Sequence, residues 1–163
     1  MAFTFEDLID SLRASRSNFH KHLKGLHDDQ WDWKPYTECK SIRETLVHLI
    51  QDDYAAVEAI EKNSEPDYET LMAAAAALAA HDIDYLKALS ETSFTALLEL
   101  LISRYAAAPL DVEICVYGLM KKLGVAIPLF SSEDYYHTGQ VAFIRMASDP
   151  TWNYYAAIYG FEA

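Results

Sequence analysis

Glu133 and His137 stand four residues apart in the run Glu133-Asp134-Tyr135-Tyr136-His137-Thr138-Gly139-Gln140. On a helix that spacing puts a carboxylate and an imidazole on one face. The face is otherwise apolar, because Ala126, Phe130, Val141 and Ile144 fall within about 40° of His137 on a helical wheel. Polar groups in an apolar stripe are costly unless something pairs them. They can pair with each other in a buried hydrogen bond, or they can bind a metal ion. A third candidate ligand, His48, lies far away in Ser41-Ile42-Arg43-Glu44-Thr45-Leu46-Val47-His48-Leu49-Ile50. Two imidazoles and one carboxylate suit Zn²⁺ with open positions left over, and the same set could hold Ni²⁺ or Fe²⁺. His48 sits roughly 160–180° from the centre of its helix's apolar stripe, among Glu44, Gln51, Asp52, Ala55 and Ala59. It is either a solvated histidine, or Ala55 and Ala59 let another helix approach that side closely. Asp53 falls on the apolar stripe and needs a partner of its own.

Long helices must position such a set. Phe5, Leu8, Leu12, Phe19, Leu23 and Leu26 recur at helical spacing and predict a first helix starting after Thr4. Trp31-Asp32-Trp33-Lys34-Pro35 reads as an aromatic loop stopped by proline. Ser41 and Glu44 form a capping box, so a second helix starts there and runs to about residue 63. Its apolar set is Ile42, Leu46, Leu49, Ile50, Tyr54, Val57 and Ile60. Pro66 and Asp67 open a third helix reaching about residue 89, and 93–105 reads as another, shorter helical piece. Val112, Ile114 and Val116 alternate with Glu113, Cys115 and Tyr117, which predicts a short strand or extended loop. The fourth main helix starts between Lys121 and Pro128 and ends near Ser148. Asp149-Pro150 predicts the start of a short last helix, with Gly160 ending it. Trp152, Tyr154, Tyr155, Tyr159 and Phe161 crowd that helix, as a lid completing the core or as a pocket wall or dimer contact.

One dominant helical period in four main helices indicates an all-α bundle, a single domain over 1–163. The net charge of −12 argues against a broad basic face for nucleic acid or anionic membrane. No window is apolar enough for a transmembrane span, and the first residues lack the pattern of a secretory signal. With no close motif joining Cys39 and Cys115, free thiols and a cytoplasmic location are expected. His20, His22, His27 and His81 sit among charges, where exposure is expected. Carboxylate-bridged di-iron bundles need Glu-x-x-His pairs, whereas Glu44/His48 and Glu133/His137 are both spaced four apart. No glycine-rich phosphate loop, serine nucleophile elbow or His-Glu-x-x-His motif is present.

Three pieces in order resemble the DinB/YfiT-like superfamily of metalloenzymes. They are the Trp33-Lys34-Pro35 loop leading to Leu46-Val47-His48-Leu49, the extended stretch ending at Gly118, and the His137-x-Gly139-Gln140 core. The resemblance implies an up-down-down-up four-helix bundle, here with a short C-terminal helix, that is often dimeric. It implies a divalent metal, zinc or nickel, on His48, Glu133 and His137. Many members carry histidine where this chain has Glu133; the mycothiol-dependent maleylpyruvate isomerase branch is similar in using glutamate. Members with known activity use a low-molecular-weight thiol, so the resemblance implies an S-transferase or isomerase acting on a small-molecule substrate. The ion would lower the pKa of bound water or hold the thiol as thiolate, with Gln140 and Tyr136 as possible helpers. Tyr135 and Tyr136 are otherwise packing residues. The alternatives are a metal-dependent hydrolase, or a non-catalytic dimeric binding or stress-response module.

Overall fold

The computed structural model describes residues 3–161. Among the described residues six α-helices are joined by loops and one two-stranded hairpin, the long first connection carrying a single 3-10 turn at Asp28–Gln30. Helix α1 (Phe5–His22) begins at a capping box in which Thr4 and Asp7 bond each other's backbone N–H groups. Helix α2 (Ile42–Lys62) begins at the expected box of Ser41 and Glu44 and stops at Asn63 in the left-handed conformation. Helices α3 (Tyr68–Ala79) and α4 (Ile83–Tyr105) follow. Strands β1 (Glu113–Val116) and β2 (Leu119–Lys122) pair antiparallel, and α5 (Leu123–Ser148) and α6 (Tyr154–Tyr159) close the chain. No helix among the described residues is long and apolar enough to cross a membrane.

Side-chain bonds fix the direction of each helix. Ser15 and Arg16 reach Asp134, and the Arg145 guanidinium reaches the carbonyls of His22 and Lys24, so α1 and α5 run parallel. Ser93 bonds Asp53 and Arg104 bonds the Ile60 carbonyl, so α2 and α4 also run parallel. Arg16 to Asp53, and His48 against His137, set the two pairs antiparallel to each other. The result is an up-down-down-up bundle. Two parallel neighbours need a return path, and α3 supplies it. The Gln51 side chain bonds the Leu71 carbonyl, and Arg43 bonds the His81 carbonyl at 2.8 Å.

The core has two apolar clusters. One gathers Leu12, Ala56, Leu97, Leu101, Ile114, Leu123 and Ile127. The other gathers Phe19, Ile42, Leu46, Leu49, Leu86, Val141 and Ile144. Along every long helix a buried polar group falls between them: Ser15 and Arg16 on α1, Asp53 on α2, Ser90 and Ser93 on α4, Asp134 and His137 on α5. Arg16 is the hub. It binds both Asp53 oxygens at 2.8 Å, donates through Nε to Asp134 at 2.9 Å, and lies over the Phe94 ring. Burial works against its charge, but the two carboxylates hold the guanidinium firmly protonated. The partner that Asp53 needs is therefore Arg16.

Several expectations are corrected. The third helix does not run to residue 89. It stops at Ala79, because the Asp82 carboxylate accepts from the Tyr85 N–H and starts a new helix that continues unbroken through residue 105. The final helix does not start at Asp149-Pro150. Asp149 bonds Thr151 in a local turn, and Asn153 is the cap. Helix α6 has no buried residue, so it does not complete the core. Tyr54 and the pair Tyr135 and Tyr136 are exposed, while His22 is buried under Tyr154. Helix α5 exposes Val125, Pro128, Ser132, Tyr135, Tyr136, Gly139, Phe143 and Met146, a helix-long strip that carries no charge.

Candidate metal centre

The polar layer opens at the seam between α2 and α5. His48 and Asp52 are one turn apart on α2, and Glu133 and His137 are one turn apart on α5. The helices run antiparallel there, so the two pairs face each other. One ligand atom from each of the four residues can be chosen so that all lie within 4.8 Å of one another. The two imidazoles meet edge to face, with ring centroids 4.8 Å apart. His48 Nε2 lies 3.3 Å from Asp52 Oδ2, and His137 Nε2 lies 3.7 Å from Glu133 Oε2. Donors placed about 2.0–2.2 Å from one ion are at most about 4.4 Å apart. Neighbouring donors in a tetrahedral set are about 3.4 Å apart, so side-chain rotations of the order of an ångström would close the cluster on a divalent ion.

His137 is prepared for such an ion. Its Nδ1 lies 2.7 Å from Gln140 Oε1. With that oxygen accepting, the proton sits on Nδ1 and Nε2 presents its lone pair to the cluster. That Nε2 is buried and has no hydrogen-bond partner. A bound metal would satisfy it, and a partner on the second ring nitrogen is what commonly orients a histidine ligand.

Electrostatics agree with the chemistry of the donors. Burial, then the neighbouring His137 and Lys40, push His48 down to about 4. Burial likewise lowers His137, against the opposing bond from Gln140. Both imidazoles are thus neutral at pH 7, the form that binds metal. Burial, then Glu133 and Asp53, push Asp52 up to about 7. Near pH 6 the contact between His48 and Asp52 is therefore neutral rather than an ion pair. Tyr117, at the hairpin tip, packs edge-on against Phe130. Burial and the carboxylates of Asp52 and Glu133 push its phenol up.

All three residues picked out from the sequence, His48, Glu133 and His137, come together here. His48 is not a freely solvated histidine; α5 covers its side of the helix, and Ala55 and Ala59 on that side are buried. Of the two possible helpers, Gln140 touches His137 directly, while Tyr136 is exposed with its ring 5.0 Å from the His137 ring. Asp52 was missed. Its signal was present, because it follows His48 at the same four-residue spacing that joins Glu133 to His137. Two carboxylates and two neutral imidazoles would bring a divalent ion to zero net charge.

A groove of about 580 Å³ between the 34–40 loop, α2 and α3 has His48 in its wall. A smaller hollow of about 230 Å³, between α1 and α4 near His20, Lys87 and Glu91, touches none of the four residues. No curated protein and no solved structure matches this chain. The sequence model of the DinB superfamily matches residues 11–119. That stretch contains the groove, His48 and Asp52, and it covers more than half of the chain, which therefore belongs to the DinB superfamily.

Proposed function

We propose that this chain is a divalent-metal-dependent enzyme that joins a low-molecular-weight thiol to a small electrophile, or uses the thiol to isomerise one. The observation that carries the reading is the convergence of His48, Asp52, Glu133 and His137 around the orphaned Nε2 of His137. When bound, the ion would supply Lewis acidity and a positive charge that favours thiolate over thiol. The protein's own residues do the rest. Gln140 fixes the His137 tautomer. The edge-on ring of His137 holds His48 in place. Tyr136, exposed beside His137, offers a hydroxyl donor to an anionic substrate group. The choice of thiol transfer over other metal chemistry rests on the family resemblance.

A hydrolytic reading has one observation of its own. Three ligands already suffice for a catalytic site, so Asp52 could act as general base instead of ligand. We also propose that the chain works as a homodimer in the cytoplasm, with the uncharged strip of α5 at the interface.

The first test is elemental analysis of protein purified without an affinity tag. One divalent ion per chain is expected, with loss of most of it in His137→Ala. Metal content that is substoichiometric and unchanged in His137→Ala ends the enzyme reading and leaves a non-catalytic module. The second test incubates metal-loaded protein with a haloaromatic and glutathione, bacillithiol or mycothiol. Thiol-dependent loss of the haloaromatic is expected; if none of the three thiols supports it, only the transferase assignment falls.

A further inference from the structure

The groove beside His48 has a chemistry of its own. Its volume, about 580 Å³, is in the range of small-molecule sites. Helix α3 forms one wall and buries no side chain of its own. The wall is open because Ala75, Ala76 and Ala79 are too small to fill the gap to α2. Met72 adds a flexible, polarizable surface at the rim. An apolar, flat body fits such walls.

Charge around the groove is unequal. Lys34 is committed to Glu44 at 2.6 Å. Lys40 has no ion pair among the described residues, and its charge is felt at His48, Asp52 and His137. Glu38 lines the same groove and opposes it. In a chain of net charge −12, an uncommitted lysine beside a candidate reaction centre is a selective feature. Small anions are repelled by most of this surface and attracted here.

We propose that this groove binds a small organic anion with a flat apolar body, its anionic group on Lys40 and its reactive end at His48. The proposal rests on the metal-enzyme reading for the reactive end and names the substrate class of that site. The α3 alanines hold the body, and Lys40 selects the charge.

Two fluorescent probes that differ by one sulfonate test it on the full chain: 8-anilinonaphthalene-1-sulfonate and the uncharged N-phenyl-1-naphthylamine. The wild type is expected to bind the sulfonate about threefold to fivefold more tightly, the range of one exposed ion pair. Lys40→Gln should bring the two probes within about twofold, Glu38→Gln should widen the preference, and Ala76→Trp should weaken both probes by about tenfold or more. Ala76 is exposed, so the larger side chain fills the groove without entering the core. Circular dichroism and metal content of the same samples report the fold and the metal centre. Unchanged binding of both probes in a folded, metal-loaded Ala76→Trp protein overturns the groove alone. A sulfonate preference that survives Lys40→Gln overturns the role of Lys40. A wild type that binds no metal removes the enzyme reading, and with it the reactive end of the proposal.

Discussion

Asp52 is held against its own preference. Burial desolvates it, Glu133 and Asp53 add their repulsion, and Lys40 and Arg16 only partly offset them, so its pKa rises from 3.8 to about 7. The folded state therefore holds this proton more tightly than the unfolded chain does. The stabilising contribution is complete below the ordinary value and is lost as pH rises through about 7. Three units correspond to about 4 kcal/mol, and partial exposure of the side chain reduces this to roughly 2 kcal/mol. In chelator-treated protein at pH 8, Asp52→Asn should raise stability by about 1–3 kcal/mol, with little change at pH 4; urea unfolding at the two pH values checks this. The same variant should bind metal more weakly. Equal destabilisation at both pH values would contradict the assignment. Arg16 shows the opposite case, a charge whose removal strands two buried carboxylates. Arg16→Met should cost about 3–5 kcal/mol in urea unfolding at pH 7. Four-residue spacing made Glu133 and His137 visible, the family resemblance added His48, and the apolar stripe of the second helix marked Asp53 as needing a partner. That stripe could not name Arg16, because nothing local links residues on different helices. Asp52 looked solvated because helix α5, which desolvates it, arrives from far along the chain.

The hairpin between α4 and α5 shows what a short element hides from sequence. Its two-residue turn holds Tyr117 at φ 50° and Gly118 at φ 77°, both in the left-handed region that matches the twist of paired strands. Tyrosine is an uncommon residue there. Its ring is held by Phe130 and placed near Asp52 and Glu133. Gly118 has two reasons to be glycine. Its φ is positive, and an added Cβ would come within 3.1 Å of the Glu65 side chain. Gly118→Ala should therefore cost about 1–2 kcal/mol in thermal or urea unfolding, and a neutral result would mean that the turn relaxes freely. The alternation from Val112 to Val116 announced the first strand. The second strand was silent, because Leu119 and Met120 are both exposed and leave no alternating face to read. The break between α3 and α4 was hidden for a related reason. The alanine-rich run favours helix throughout, and the hydrogen bond that the Tyr85 N–H donates to the Asp82 carboxylate marks where the next helix begins.

At the scale of the whole molecule, one surface departs from the rest. The chain carries 25 acidic and 13 basic residues, yet the outer strip of its longest helix includes none of them, and Glu133 lies off that strip at the metal centre. Val125, Pro128, Ser132, Tyr135 or Tyr136, Gly139, Phe143 and Met146 recur every three or four residues, the spacing of a single stripe. Gly139 stands near the middle, and an added Cβ there would meet nothing within 4 Å in its own chain. Its small size thus serves no contact inside the monomer, and a second helix could approach closely at that point. From the sequence the bundle was legible, since the periodicities give the helices and the family resemblance implies their up-down-down-up order. This outer stripe was not, because a helix apolar on both faces reads simply as buried. A second copy packed on α5 should make the protein dimeric at micromolar concentration, as measured by light scattering on a sizing column. Phe143→Glu should yield monomers, because two copies would bury like charges across a self-complementary contact. Metal content and helicity should stay unchanged, since Phe143 is exposed and is not one of the four candidate ligands. A monomeric wild type would reject the dimer outright. A dimer that survives Phe143→Glu would have to form on another face, with the exposed aromatics Tyr155, Tyr159 and Phe161 of the C-terminal segment the next to substitute.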